Sequence, residues 1–162
     1  LTNSLATNDV IAAHGAYARY RSGLLAAGVE LHELQPNARA LHRQVRLFKG
    51  RSQASLHTKA MVLDRREVFV GSFNIDPRSV HLNTEMGYYV ASAELGQQVA
   101  AFIEEGLAPE NSFRLSREDG KLAWAADGEE GVPEVLYREP RVSVVRWLAA
   151  WLLARLPIER FL

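Results

Sequence analysis

The stretch SLHTKAMVLDRREVFVGSFNIDPRSVHLNTEMGYYV, residues 55–90, decides how the rest of the chain is read. Two apolar runs, one ending at Leu63 and one covering Glu67 to Gly71, are joined by Asp64-Arg65-Arg66. So short a connection between β-branched runs predicts a β-hairpin, with strands over 54–63 and 67–71. A loop over 74–82, with turn chemistry at Asp76-Pro77-Arg78, leads to a third strand over 85–92.

Polar residues stand at fixed intervals along these strands. His57 and Lys59 are two positions apart, as are Ser72 and Asn74. Side chains alternate along a strand, so each pair shares a face. An imidazole, an ammonium, a hydroxyl and an amide then converge, a set suited to a phosphoryl group. Glu85 opens the third strand, from where a carboxylate can orient the imidazole. A lone histidine in an apolar strand is usually a satisfied core residue, and a lone lysine a surface one. The coincidence of spaced polar partners argues against both. Asp64 falls at the hairpin turn with parity opposite to Lys59, and reads as structural, holding the turn or pairing with an arginine such as Arg78. Asp76 and Arg78 read as loop-fixing residues.

H-x-K-x4-D over 57–64, G-S-x-N-x-D-x-R-S over 71–79 and N-x-E over 83–85 together resemble the phospholipase D superfamily signature. LTNSL (1–5), HGAYARYRSGLLAAGVELHEL (14–34) and LPIERFL (156–162) extend the similarity to the second half of a C-type bacterial cardiolipin synthase. The resemblance implies an α/β phospholipase D-like domain, a mixed β-sheet flanked by helices, forming one half of a pseudo-twofold two-domain enzyme. It implies a catalytic set of His57, Lys59, Asp64, Ser72, Asn74 and Glu85, with Glu85 hydrogen-bonded to His57. His57 would form a phosphohistidine while a second histidine, from a matching motif, protonates the leaving alcohol and later activates the acceptor. The implied reaction moves a phosphatidyl group from one phospholipid to phosphatidylglycerol at the bacterial inner membrane, without cofactor or metal.

Only one H-x-K occurs in the chain, since His14, His32, His42 and His81 begin no second copy. Either two copies pair as a homodimer, or this piece holds half a site whose partner motif lies upstream. The second is the expectation, because the chain starts on Leu1 within a motif-like run, without a secretory signal. By itself it is expected to be weakly active or inactive.

Composition sets the remaining bounds. The 162 residues are 48% apolar and 23% charged, ordinary for one soluble globular domain. There is no cysteine, which excludes disulfides and thiolate metal sites. Net charge is zero but uneven: residues 37–54 carry five cations and no acid, while residues 104–139 hold ten acids against four bases. In the basic stretch Arg46 and Lys49 are candidate substrate-binding residues; a solvated loop is the plainer reading. A nuclease of the same chemistry would use these cations on a phosphate backbone. The neutral net charge and the tryptophan-rich tail speak against nucleic acid. A non-catalytic half-domain is a further alternative.

The flanks follow α/β grammar. A helix from about Asp9, capped by Thr7 or Asn8, is expected to run to Gly28, followed by a strand over 29–34. Another helix spans about 93–106, with Val99, Phe102, Ile103 and Leu107 as its apolar stripe. FRLSREDGKLAWAAD (113–127) reads as a hairpin about Asp119-Gly120, and 127–134 as an acidic loop. The apolar run Trp147–Ala154 is too short to span a bilayer, which needs roughly 20 residues. Two tryptophans between Arg146 and Arg155 suit a helix lying in a membrane interface, or one packed on protein. Residues 1–108 are taken as the catalytic half-domain and 109–162 as an extension packed on it.

Overall fold

A computed structural model describes residues 1–38, 55–128 and 131–155. The basic stretch with Arg46 and Lys49, and the terminal LPIERFL, lie outside the described residues. In chain order the elements are β1 (Thr2–Asn3), α1 (Ile11–Ala18), α2 (Arg21–Ala26), β2 (His32–Leu34), β3 (Lys59–Leu63), β4 (Glu67–Gly71), α3 (Pro77–His81), β5 (Gly87–Ala91), α4 (Ala93–Leu107), β6 (Ser112–Glu118), β7 (Lys121–Asp127), β8 (Pro133–Leu136) and α5 (Val144–Leu153). The fold class is α/β, with open sheets and flanking helices. The chain divides into two compact units, Leu1–Leu56 with Glu105–Leu156, and His57–Glu104 with Pro157–Leu162.

The first unit carries a five-stranded mixed sheet in the order β1-β2-β6-β7-β8, in which only β1 and β2 are parallel. Phe113, Leu115, Trp124 and Ala126 form its apolar core, with Leu25, Leu31, Leu122 and Leu136 packed around them. The β6–β7 hairpin turns at Asp119 and Gly120, both at positive φ (48° and 78°), the geometry that matches strand twist. β8 lies partly within the stretch expected to be an acidic loop. It is an edge strand opening on Pro133, where the missing amide hydrogen costs the sheet nothing.

The single helix expected between 9 and 28 is two. Asn8 Oδ1 accepts from Val10 N at 3.0 Å, and α1 begins at Ile11. A tight Tyr20 N to Tyr17 O bond of 2.9 Å closes α1, and α2 restarts at Arg21, whose side chain turns inward. Gly28, at φ +82°, ends α2 with Val29 N donating to Leu24 O at 3.0 Å.

Arg21 is the largest fully buried side chain, 2% exposed. Its Nε donates to Glu33 Oε1 at 2.7 Å, Nη2 donates to His14 Nε2 at 2.9 Å, and Nη1 bonds Glu139. Trp124 Nε1 donates to the second oxygen of Glu33 at 3.0 Å, and the Trp124 ring lies 5.4 Å from the guanidinium carbon. One cation thus faces two acids. Burial pushes the Glu33 carboxyl up against the pull of Arg21. Burial acts the same way on Glu139, but His14 and Arg21 override it and hold that carboxyl at about 2. α5 closes this unit over α1. A Cβ on Gly15 would stand 3.2 Å from Ala150 O, and Arg146 Nε donates to Leu5 O at 2.8 Å. No helix among the described residues is long and apolar enough to cross a membrane.

The second unit holds an antiparallel three-stranded sheet, β3-β4-β5, followed by most of α4. Asp64 and Arg65, at φ 49° and 54°, lie in the three-residue connection Asp64-Arg65-Arg66 between β3 and β4, which Arg66 N closes by donating to Leu63 O at 3.0 Å. A Cβ on Gly96 of α4 would fall 2.4 Å from Arg65 O, so the helix meets that turn backbone to backbone. The loop expected over 74–82 contains α3. Asp76 caps it, accepting from Ser79 N at 2.7 Å, and proline holds its first position.

Two stability predictions follow from the charged centre. Arg21→Met should lower stability by roughly 3–5 kcal/mol in urea unfolding, because it strands Glu33 without a cation in the interior. Glu139 titrates lower in the folded than in the unfolded chain. Its contribution is therefore complete above its ordinary value of 4.5 and fades as pH falls towards about 2. Stability of Glu139→Gln, followed against pH by thermal melts, should fall less over that window than wild type.

Candidate active site

Sheet register gathers the site. Lys59 pairs with Gly71, and Gly71 with Gly87, so these three form one row across the end of the sheet. Just outside the row stand His57 before β3, Ser72 after β4, and Glu85 and Met86 before β5. Ser72 N donates to Met86 O at 2.9 Å, and Met86 N donates back to Ser72 Oγ at 3.0 Å. A Cβ on Gly71 would lie 2.5 Å from Met86 O and 2.8 Å from the Gly87 Cα. A Cβ on Gly87 would meet the Phe69 ring at 2.5 Å. Only glycines let the strand ends approach this closely.

His57 lies two residues before the strand proper, yet the expected pairing with Lys59 forms. Lys59 Nζ is 3.1 Å from His57 Nε2 and 3.1 Å from the His57 carbonyl oxygen. An ammonium has donors only, so Nε2 accepts and the imidazole proton sits on Nδ1. The nitrogen carrying the lone pair therefore faces the local cation. His57, Ser72 and Asn74 are exposed.

Glu85 is held by its own loop. It accepts from Ser72 Oγ, from Ser79 Oγ at 2.9 Å and from Asn83 Nδ2 at 3.1 Å. These bonds, in that order, lower its carboxyl below the ordinary value, and the charge of Lys59 adds to them. Among the described residues no hydrogen bond joins Glu85 to His57; three nearer donors occupy its oxygens. Ser79, 5% exposed on α3, also accepts from Asn74 N at 3.4 Å, tying the Asn74 backbone to the same hub. Asn83 is in turn bonded by Arg78 Nε at 3.1 Å, so Arg78 braces this loop rather than reaching Asp64.

The hairpin thus brings Lys59 and His57 to the end of the sheet where Ser72, Asn74 and Glu85 stand. Asp64 sits at the opposite end of β3, in the turn, and is not gathered with them. Ser79 and Asn83 received no role from sequence reasoning, although both are in the quoted signature. The sequence signal for Ser79 was Asp76-Pro77, a helix start that carries Ser79 back beneath Glu85. Among the described residues no three histidine or acidic side chains are grouped as metal ligands would be.

A hairpin ending in a histidine–lysine pair, beside a G-S-x-N strand end and a loop-held carboxylate, marks a phospholipase D-like (PLD-like) domain. The family model described as "Cardiolipin synthase, PLD-like domain" matches residues 1–106, and the chain belongs to this family. It is 42% identical to cardiolipin synthase C of Escherichia coli (strain K12) over 98% of this chain and 34% of that protein. An uncharacterized protein of Helicobacter pylori (strain J99) is 34% identical over 82% of the chain and 25% of its own length. Cardiolipin synthase A of Pectobacterium carotovorum subsp. carotovorum (strain PC1) is 25% identical over 72% of the chain and 21% of its own length. The chain therefore spans between about a fifth and about a third of the length of these relatives. No solved structure matches.

The Glu85 hub yields a direct test. In Ser79→Ala the Glu85 carboxyl loses a donor and should titrate at higher pH than in wild type, as read by carbon-13 NMR of labelled glutamate side chains. An unchanged midpoint would show that Ser79 does not hold the carboxylate.

Proposed function

We propose that this chain supplies one half of the active site of a phosphatidyltransferase, with His57 as the nucleophile. The observation that carries this reading is the hydrogen bond from Lys59 Nζ to His57 Nε2. It fixes the tautomer whose lone pair points where a phosphodiester's anionic oxygens would meet the ammonium. Membership of the cardiolipin synthase PLD-like family, and the name of the Escherichia coli relative, support a phospholipid as donor and phosphatidylglycerol as acceptor.

On this reading the incoming phosphate draws Lys59 Nζ off His57 Nε2 on to its own oxygens, the freed Nε2 lone pair attacks phosphorus, and a phosphorus–oxygen bond to the leaving alcohol breaks. The alcohol takes a proton from a second acid, a histidine of another H-x-K motif. The acceptor hydroxyl then attacks the phosphohistidine, giving its proton to that same group, and His57 leaves neutral. Lys59 meets the non-bridging oxygens as a point charge, while Ser72 and Asn74 offer neutral donors to the transition state. Glu85, kept ionised by its three donors, balances the imidazolium that forms when His57 is phosphorylated. Asp64 serves the turn. Arg46 and Lys49 assist in holding the anionic substrate. The second motif comes from further polypeptide or from a second copy of this chain, and the reaction runs at a membrane surface, with no cofactor. Residues 1–108 would form the catalytic half-domain and 109–162 its extension.

The test is a hydrolysable phosphodiester assay with light scattering on the same sample, together with acid-quench trapping of phosphorus-labelled protein. An inactive monomer that regains activity when joined to a partner H-x-K domain, and loses it at least roughly a thousandfold in His57→Ala, is the expected result. A dimer active by itself and dependent on His57 would place both motifs in identical copies. Label that persists in His57→Ala would sink the assignment of the nucleophile.

A further inference from the structure

α5 carries its apolar face away from the protein. At the angular step of an α-helix, Val144, Val145, Trp147, Leu148, Trp151 and Leu152 fall within one arc of about 160°. All six are exposed, from 40% at Trp147 to 77% at Val145. The opposite arc is the one that packs. Ala150 is buried, Gly15 of α1 lies under Ala150 O and Ala154 N, and Arg146 spends its guanidinium on the Leu5 and Asn8 carbonyls. A helix on the surface of a globular protein normally shows the reverse.

Along the helix itself the charges have one sign. No aspartate or glutamate occurs between residues 140 and 158, whereas Arg146 and Arg155 do; Arg141, just before the helix, is paired with Glu134 at 3.2 Å. Arg155 ends the stripe and lies over the Trp151 ring, 3.4 Å from its centroid. Arg19 reaches the same end, where its Nε donates to the Ala154 carbonyl. Aliphatic side chains, two indoles and an arginine stacked on one of them are what the boundary between lipid headgroups and acyl chains accommodates together. A protein partner would have to bring an apolar groove and an acid for Arg155.

We propose that α5 is the element by which the chain lies on an anionic phospholipid surface. Leu148, Leu152 and Val145 enter the acyl region, Trp147 and Trp151 lie at headgroup depth, and Arg155 meets lipid phosphate. This deepens the lipid reading of the function, and rests on it for the choice of a membrane over a protein, but uses none of the residues around His57.

The experiment is flotation of the chain with vesicles of phosphatidylglycerol and phosphatidylcholine, and of phosphatidylcholine alone. Wild type should bind the anionic vesicles, and a Leu148→Ser/Leu152→Ser variant should bind about tenfold more weakly or less. Arg155→Ala should lose severalfold on anionic vesicles and little on neutral ones. Val144→Ser/Val145→Ser, at the most exposed positions, repeats the apolar test should the leucine variant fail to fold. Equal binding by wild type and both apolar variants, or no binding by wild type, overturns the proposal. So does self-association without lipid that Leu148→Ser/Leu152→Ser abolishes, which would make a second copy the occupant. Joined to a partner H-x-K domain, the chain should hydrolyse a water-soluble phosphodiester equally well in all three variants and lose that activity in His57→Ala, so failure of the nucleophile and failure of the lipid surface are read separately.

Discussion

Where the backbone of Gly71 passes the backbone of Gly87, less than a methyl group's clearance separates β4 from the approach to β5. The chemistry of the second unit depends on that approach. It brings Ser72 into mutual hydrogen bonding with Met86, which places the Ser72 hydroxyl on Glu85 one residue earlier. It also sets the row on which Lys59 stands, since the same register aligns Lys59 with Gly71. A side chain at Gly71 would part the strands and separate the serine, the carboxylate and the lysine together, whereas one at Gly87 would meet the Phe69 ring. The two glycines act as spacers, and the polar residues are correctly placed because nothing intervenes.

The hairpin and its polar spacing were legible because they are local. Alternation sets which side chains share a face, and a short turn sets register, so the meeting of His57 and Lys59 was readable from the chain alone. The signature's resemblance to phospholipase D proteins added Glu85. Its true surroundings were harder to read, because they depend on α3, a helix of five residues hidden in what alternation describes as a loop. The expected His57–Glu85 bond gave way to bonds from Ser72, Ser79 and Asn83 for this reason. A carboxylate is claimed by the nearest donors, and three of them lie in its own loop.

Long-range pairings were less legible still. Arginine in an amphipathic pattern reads as surface, and Arg21 is instead the centre of the first unit. Its inward turn answers to Glu33, twelve residues on, and to Trp124 and Glu139, so far along the chain that no window of sequence connects them to it. The break between α1 and α2 has the same origin. The two-residue β1 and the edge strand β8 carry too little pattern to be seen. α5 was legible as an amphipathic helix, but the outward direction of its apolar face followed only from seeing Gly15 and Ala150 in contact.

The first unit is discontinuous, assembled from 1–56 and 105–156, and this bears on how the chain is made. A polypeptide leaves the ribosome N-terminus first, and domains close as their parts emerge. His57–Glu104 is contiguous, and its three strands pair only with sequence neighbours, so it has the low contact order of a fast folder. It has emerged before Trp124 and Glu139 have. Arg21 and Glu33 therefore wait in water through the synthesis of the entire site-bearing unit. The sheet that carries the His57–Lys59 pair comes first, and the charged centre of the other unit is sealed only after Glu139 has emerged.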